Sequence, residues 1–449
     1  MIGRAPTMAD RGTRPVARFQ TSTLGRAMAV ALAMLVSVEA RPADQNRPSP
    51  GHPMSAEMPE RSGHGRHVVG TAFEELAAGN RMIGIRYWFP AEPDSAAQPQ
   101  HYHHRRALPG QQALTLSEQG RALAPAKPLA GQKFPLILMS HGYGGWSEHM
   151  SRLGETLASR GYVVASIDHR DPSFSDMASF AASFGHVLVN RSRDQQAVLR
   201  AVLDGAVKQQ EVARLVDANA IGVLGYSMGG YGAITTSGVP LAPAAPAFRQ
   251  FPRPALAALP RPDPDLANRI GALVTLAPWG GQPDALAWGD ADLAALKTPM
   301  LLIAGDQDDV VDFEQGVKRL FGSAKGADRY LLVYREAAHN IAGNPWALPQ
   351  GADFPAIEFL SDPVWRKDRI EAINAHFIST FLDLHLKQDQ AMRRYLDVPV
   401  PLSNAGRWPS MFGQQWGGMV AGDSQPDYWR GFQRRWARGL ELHHKSQGE

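Results

Sequence analysis

Short runs that are apolar at almost every position, separated by amphipathic segments, constrain this chain more than any other feature. Phe134–Met139 (FPLILM), Tyr162–Ile167 (YVVASI), Ala220–Gly225 (AIGVLG), Ile270–Leu276, Met300–Ala304 and Tyr330–Tyr334 show no alternating polar face. A strand with one wet face alternates, whereas a strand covered on both faces does not. Ser151–Arg160 and Ser192–Leu203 fit helices between these runs, and Asp368–Lys387 closes the set with helical periodicity. The pattern predicts an α/β fold: a mostly parallel sheet with helices on both faces, spanning residues 79–387 as one large domain. At 449 residues and 44% hydrophobic, the chain is long and apolar enough to fill such a core.

The flanks read differently. Residues 1–40 hold five Arg against Asp10 and Glu39, which accounts for the whole formal charge of +3. The remainder carries 41 basic and 41 acidic side chains, a balance that calls for no nucleic-acid partner. An apolar run from Ala27 to Val38 follows the Arg-bearing stretch, and Val38-Glu39-Ala40 supplies small residues for cleavage. This is the layout of a secretory signal peptide, too short to span a bilayer. The expectation is a secreted or periplasmic protein with no stable membrane insertion. Residues 41–78 are read as a linker, with RMIGIRYWFP from Arg81 as the first strand. Residues 91–132 are read as a surface excursion whose His101, His103 and His104 are solvated rather than metal-ligating. Eight prolines between Pro240 and Pro264 mark an insertion over 240–268, either a cap or a rigid surface loop. Residues 388–449, with Trp408, Trp416, Trp429 and Trp436, are expected to pack as an extension on the main domain. The sequence has no cysteine, which removes disulfides, thiolate catalysis and Cys-ligated metals together.

The chemistry centres on Gly225-Tyr226-Ser227-Met228-Gly229-Gly230, which follows one strand and opens a helix. A turn that lifts a serine between strand and helix needs glycines where backbone segments approach closely. The Met228 amide then lies at a helix N-terminus, aimed at a developing oxyanion. Ser140-His141-Gly142-Tyr143-Gly144-Gly145 comes directly after FPLILM and can supply the second donor from the Tyr143 amide, with His141 holding the loop. A serine hydroxyl near its free pKa is a weak nucleophile, so it needs a base, and the base needs an orienting acid. The Tyr330–Tyr334 run leads into a loop that carries His339, and Asp306, Asp308, Asp309 and Asp312 cluster after Met300–Ala304. The order is Ser227, an aspartate, then His339.

These residues resemble the α/β-hydrolase superfamily from about Arg81 to Lys387. RYWFPAE, PLILMSHGYGG, IDHRDPS and GYSMGGYGA are most similar to predicted dienelactone hydrolases related to platelet-activating factor acetylhydrolase. The family spacing G-x-x-D selects Asp308 as the orienting acid, giving gaps of 81 and 31 residues along the chain. Ala277-Pro278-Trp279 is also similar to bacterial cutinases and polyester hydrolases, where the resemblance implies that Trp279 lines an acyl or aromatic subsite; ordinary packing is the alternative. Two departures limit the transfer. The ALVTLAPWGG segment has no aspartate before Asp284, where plasma-type acetylhydrolases place theirs, and dienelactone hydrolases proper use a cysteine.

The sequence therefore predicts an exported serine esterase acting on small-molecule or polymeric carboxylic esters, without metal or organic cofactor. Ser227 is the nucleophile, His339 the base, Asp308 the orienting acid, and Tyr143 and Met228 the oxyanion donors. An amidase or peptidase using the same residues is one alternative, and a catalytically silent binding protein is another. Oligomeric state and acyl-chain length are not written in the sequence.

Overall fold

The computed structural model describes residues 57–94, 96–106, 114–348, 351–406, 429–433 and 435–449. The proposed leader over 1–40, Trp408 and Trp416 lie outside them. Eleven strands join one sheet in the order β11-β10-β9-β8-β7-β5-β6-β2-β1-β4-β3. Its centre is a parallel block made of β6 (Val163–Asp168), β5 (Phe134–Ser140), β7 (Val216–Tyr226), β8 (Ile270–Leu276), β9 (Met300–Gly305) and β10 (Arg329–Tyr334). Nearly every residue of β5, β8, β9 and β10 is buried, as runs without a polar face require. Helices α1 (Ser151–Ser159), α2 (Met177–Leu203), α3 (Met228–Thr236), α4 (Phe354–Leu360) and α5 (Lys367–Leu386) accompany the block.

Three expectations need correction. Residues 68–78, assigned to the linker, form β1 (Val68–Ala78), which pairs antiparallel with β2 (Arg81–Ala91) along its full length. The supposed surface excursion contributes β3 (Gln98–Arg106) and β4 (Leu114–Ala124) to the sheet. Polar strands fit there because this end is anchored by a few buried groups: Trp88 donates to the Tyr102 hydroxyl, which donates to the buried Glu155 carboxylate. The strand also splits its histidines, with His101 stacked on His103 and His104 stacked on Trp146 at 3.8 Å. Helix α2 starts at Met177, well before Ser192, because Asp176 and Ser179 cap its N-terminus reciprocally.

The proline-dense segment folds into short helical turns alongside α2. Arg200 pairs with Asp263, the Asp263 amide donates to Gln196, and Phe251 lies against Gly185. Near the chain's end, β11 (Leu440–Lys445) pairs antiparallel with β10. All described residues fall within one compact unit, and no break in contacts separates 388 onward from what precedes it.

Candidate active site

The carboxyl ends of β5, β7, β9 and β10 converge on one edge of the parallel block, where such sheets place their chemistry. Ser227 follows β7 at φ 52° and ψ −116°, a conformation that costs a non-glycine residue about 1–3 kcal/mol. The neighbouring glycines make the turn feasible. A Cβ on Gly229 would collide with the Ser140 carbonyl, and one on Gly225 with the Gly229 carbonyl. Backbone bonds hold the turn in place: the Ser227 amide donates to Leu276 O at 2.9 Å, and the Trp279 amide donates to Ser227 O at 3.2 Å.

His339 approaches from β10. Its Nε2 lies 3.1 Å from Ser227 Oγ, and its Nδ1 lies 2.8 Å from Asp308 Oδ2. The other Asp308 oxygen accepts the Val310 and Val311 amides at 3.0 and 3.1 Å, so a fully buried carboxylate is satisfied on both sides. The remaining aspartates of this loop have other tasks. Asp306 accepts the Glu336 amide and pairs with Arg335, Asp312 caps the turn at Gln315, and Asp309 is exposed. Three of the residues expected from sequence are thus brought together, and Asp308 is the aspartate among them.

The His339 loop is held from below by groups the sequence did not single out. Asp362 accepts the Ala338 amide at 2.8 Å, and Lys367 donates to the carbonyls of Asn340 and Ala342. Burial pushes Lys367 down to about 8. These partners lie 24 to 27 residues from the loop, too far for a local motif to reveal them.

Met228 is buried as the first residue of α3, so its amide faces out of a helix N-terminus. Gly142 lies against the serine turn: a Cβ there would stand 3.2 Å from Ser227 Cβ, which puts the Tyr143 peptide beside Ser227. The Tyr143 hydroxyl donates to Ser183, and its ring stacks on Phe174 and meets Phe184 edge-on. Phe184 meets Trp279 edge-on at 5.3 Å, and Trp279 also packs against Tyr231. Half-buried rings therefore run from Tyr143 to Trp279 beside the serine. A buried ion pair also missed in sequence, Arg191 with Asp171 at 2.8 Å, ties this loop to α2, because Asp171 accepts the Gly144 amide at 2.9 Å. Although burial opposes it, the Arg191 cation pulls Asp171 down to about 2.

The family model for platelet-activating factor acetylhydrolase, isoform II, matches residues 112–195, from β4 across the Tyr143 loop into α2. Over that stretch the chain is similar to this acetylhydrolase family. It is also similar to platelet-activating factor acetylhydrolase of Cavia porcellus, 47% identical over 58 residues (12% of this chain, 13% of that protein). The Bos taurus enzyme is 28% identical over 143 residues (24% of this chain, 32% of that protein). The chain thus spans from an eighth to a third of these relatives' length. A solved ferulic acid esterase from Streptomyces cinnamoneus aligns with a TM-score of 0.49 at 22% identity, covering 72% of this chain and 91% of that one.

Proposed function

We propose that this chain is an exported serine hydrolase of carboxylic esters, with Ser227, His339 and Asp308 as its catalytic residues. The observation that carries this reading is the continuous contact from Asp308 through His339 to Ser227, at 2.8 and 3.1 Å. Similarity to acetylhydrolases supports the ester as substrate class.

In this mechanism His339 Nε2 removes the Ser227 proton as Oγ attacks the ester carbonyl. The Met228 and Tyr143 amides stabilise the tetrahedral oxyanion, a contribution of about 100- to 1,000-fold per donor. His339 then protonates the departing alkoxide. Water enters by the same route, giving a proton to His339 and its hydroxide to the acyl carbon; the bond from that carbon to Ser227 Oγ then breaks as His339 returns the proton to Oγ, releasing the acid and regenerating Ser227. Asp308 holds the imidazole with its proton on Nδ1 and stabilises the cation without accepting that proton. The aromatic wall from Tyr143 to Trp279 receives the acyl or aryl portion of the substrate. Residues 1–40 serve as the export signal; no helix among the described residues is long and apolar enough to cross a membrane.

The test is release of p-nitrophenol from acetate, butyrate and octanoate esters by wild type and Ser227→Ala, with folding matched by circular dichroism. Turnover in wild type that vanishes in the variant supports the reading, and the ranking of the three esters sizes the acyl subsite. Equal rates in both proteins would overturn it.

A further inference from the structure

Behind the Tyr143 loop lies a second Ser–His–Asp arrangement. Ser140 Oγ is 2.8 Å from His169 Nε2, and His169 Nδ1 is 2.9 Å from Asp194 Oδ2, whose other oxygen pairs with Arg81. No member is more than 1% exposed, so no substrate reaches this serine. Its contacts lead elsewhere. The His169 backbone N–H points at His141 Nε2 at 3.2 Å, and a backbone amide can only donate. His141 must therefore carry its proton on Nδ1, which it donates to the Gly142 carbonyl at 2.6 Å. Arg191 reaches the same carbonyl at 3.5 Å. Burial, aided by the Arg191 cation, holds both imidazoles well below the ordinary histidine value, so both rings are neutral.

The Gly142 carbonyl and the Tyr143 N–H are opposite ends of one planar trans peptide. Clamping the carbonyl toward the interior aims the N–H the other way, and Gly142 itself stands against Ser227. Donors on a carbonyl also polarise its peptide and strengthen the N–H as a donor. We propose that His141, keyed in place by the sealed Ser140–His169–Asp194 array, is a positioning residue that orients and polarises the Tyr143 oxyanion donor. The inference rests on the esterase reading, because it needs the Tyr143 amide to face a developing charge.

Two near-isosteric variants test it. His141→Asn puts an amide nitrogen where Nδ1 sits and keeps the donor to Gly142. His141→Gln puts its amide where Nε2 sits and leaves that carbonyl without the histidine's bond. With one oxyanion donor misaligned, the glutamine variant should lose about 10- to 100-fold in kcat with KM within about threefold, while the asparagine variant stays within about tenfold of wild type. Equal kcat in two folded variants, or a loss carried by KM alone, would overturn the proposal. If His141→Gln does not fold, Ser140→Ala reads the same array from its far end and should lower kcat with little change in KM; unchanged kcat there would equally overturn it. A fluorophosphonate should add once to wild type and not to Ser227→Ala, and an adduct on Ser140 would overturn the positioning role. An inactive wild type would instead defeat the esterase reading, so the two failures are distinguishable.

Discussion

Ser227 pays for its position in backbone conformation, and that cost can be measured apart from catalysis. Glycine tolerates φ 52° where serine does not, so Ser227→Gly should abolish turnover and yet raise the unfolding free energy by about 1 kcal/mol. Chemical denaturation of the two proteins checks this, and a destabilised glycine variant would mean the turn is not strained. Asp171 offers a second reading at this scale. Its folded value of about 2 lies below the ordinary 3.8, so the unfolded chain takes up the proton first as pH falls. The associated stability, about 2 kcal/mol, is fully present above pH 3.8 and lost as pH drops toward 2. The gap in urea midpoint between wild type and Asp171→Asn should therefore shrink between pH 5 and 2. A gap that stays constant would refute the ion-pair account.

Among the elements, the loop carrying His339 depends on α5 more than on its own sequence. Lys367, the first residue of α5, ties two carbonyls beyond His339, so Lys367→Met should let the imidazole drift and cost about 10- to 100-fold in kcat. Steady-state kinetics with p-nitrophenyl acetate decides it, and an unchanged kcat would show that the loop stands alone. What the sequence revealed follows the same division. Strands β5, β7, β8, β9 and β10 were legible because burial on both faces leaves an uninterrupted apolar run. Strand β3, QPQHYHHRR, was not, since one buried residue, Tyr102, with its partners Trp88 and Glu155 decides its place. The serine turn, His339 and the aspartate loop announced themselves through residue type and order. Asp171, Arg191, Asp362 and Lys367 did not, because their partners are backbone groups and charges brought close only by the fold.

Across the whole molecule, the sheet is densest in its parallel centre and more polar toward β3 and β4. Hydrogen exchange should therefore be slowest in β5, β7 and β8 and fastest among the strands in β3 and β4. Mass-spectrometric exchange on the native protein checks the ranking, and uniform protection across the sheet would contradict it. The same layout separates stability from chemistry, because the strands that bear Ser227 and Tyr143 lie inside the block while β10, which delivers His339, is its outermost strand, one strand from the edge of the sheet.

Strand β11 covers that edge, and its pairing with β10 sets a timetable. During synthesis the serine turn leaves the ribosome more than a hundred residues before His339, and β11 emerges a further hundred residues later. Under the proposed mechanism, a nascent chain can thus build most of its sheet while remaining inert toward esters. In refolding, recovery of turnover should lag behind recovery of secondary structure, reporting the docking of the last strand rather than the collapse of the core.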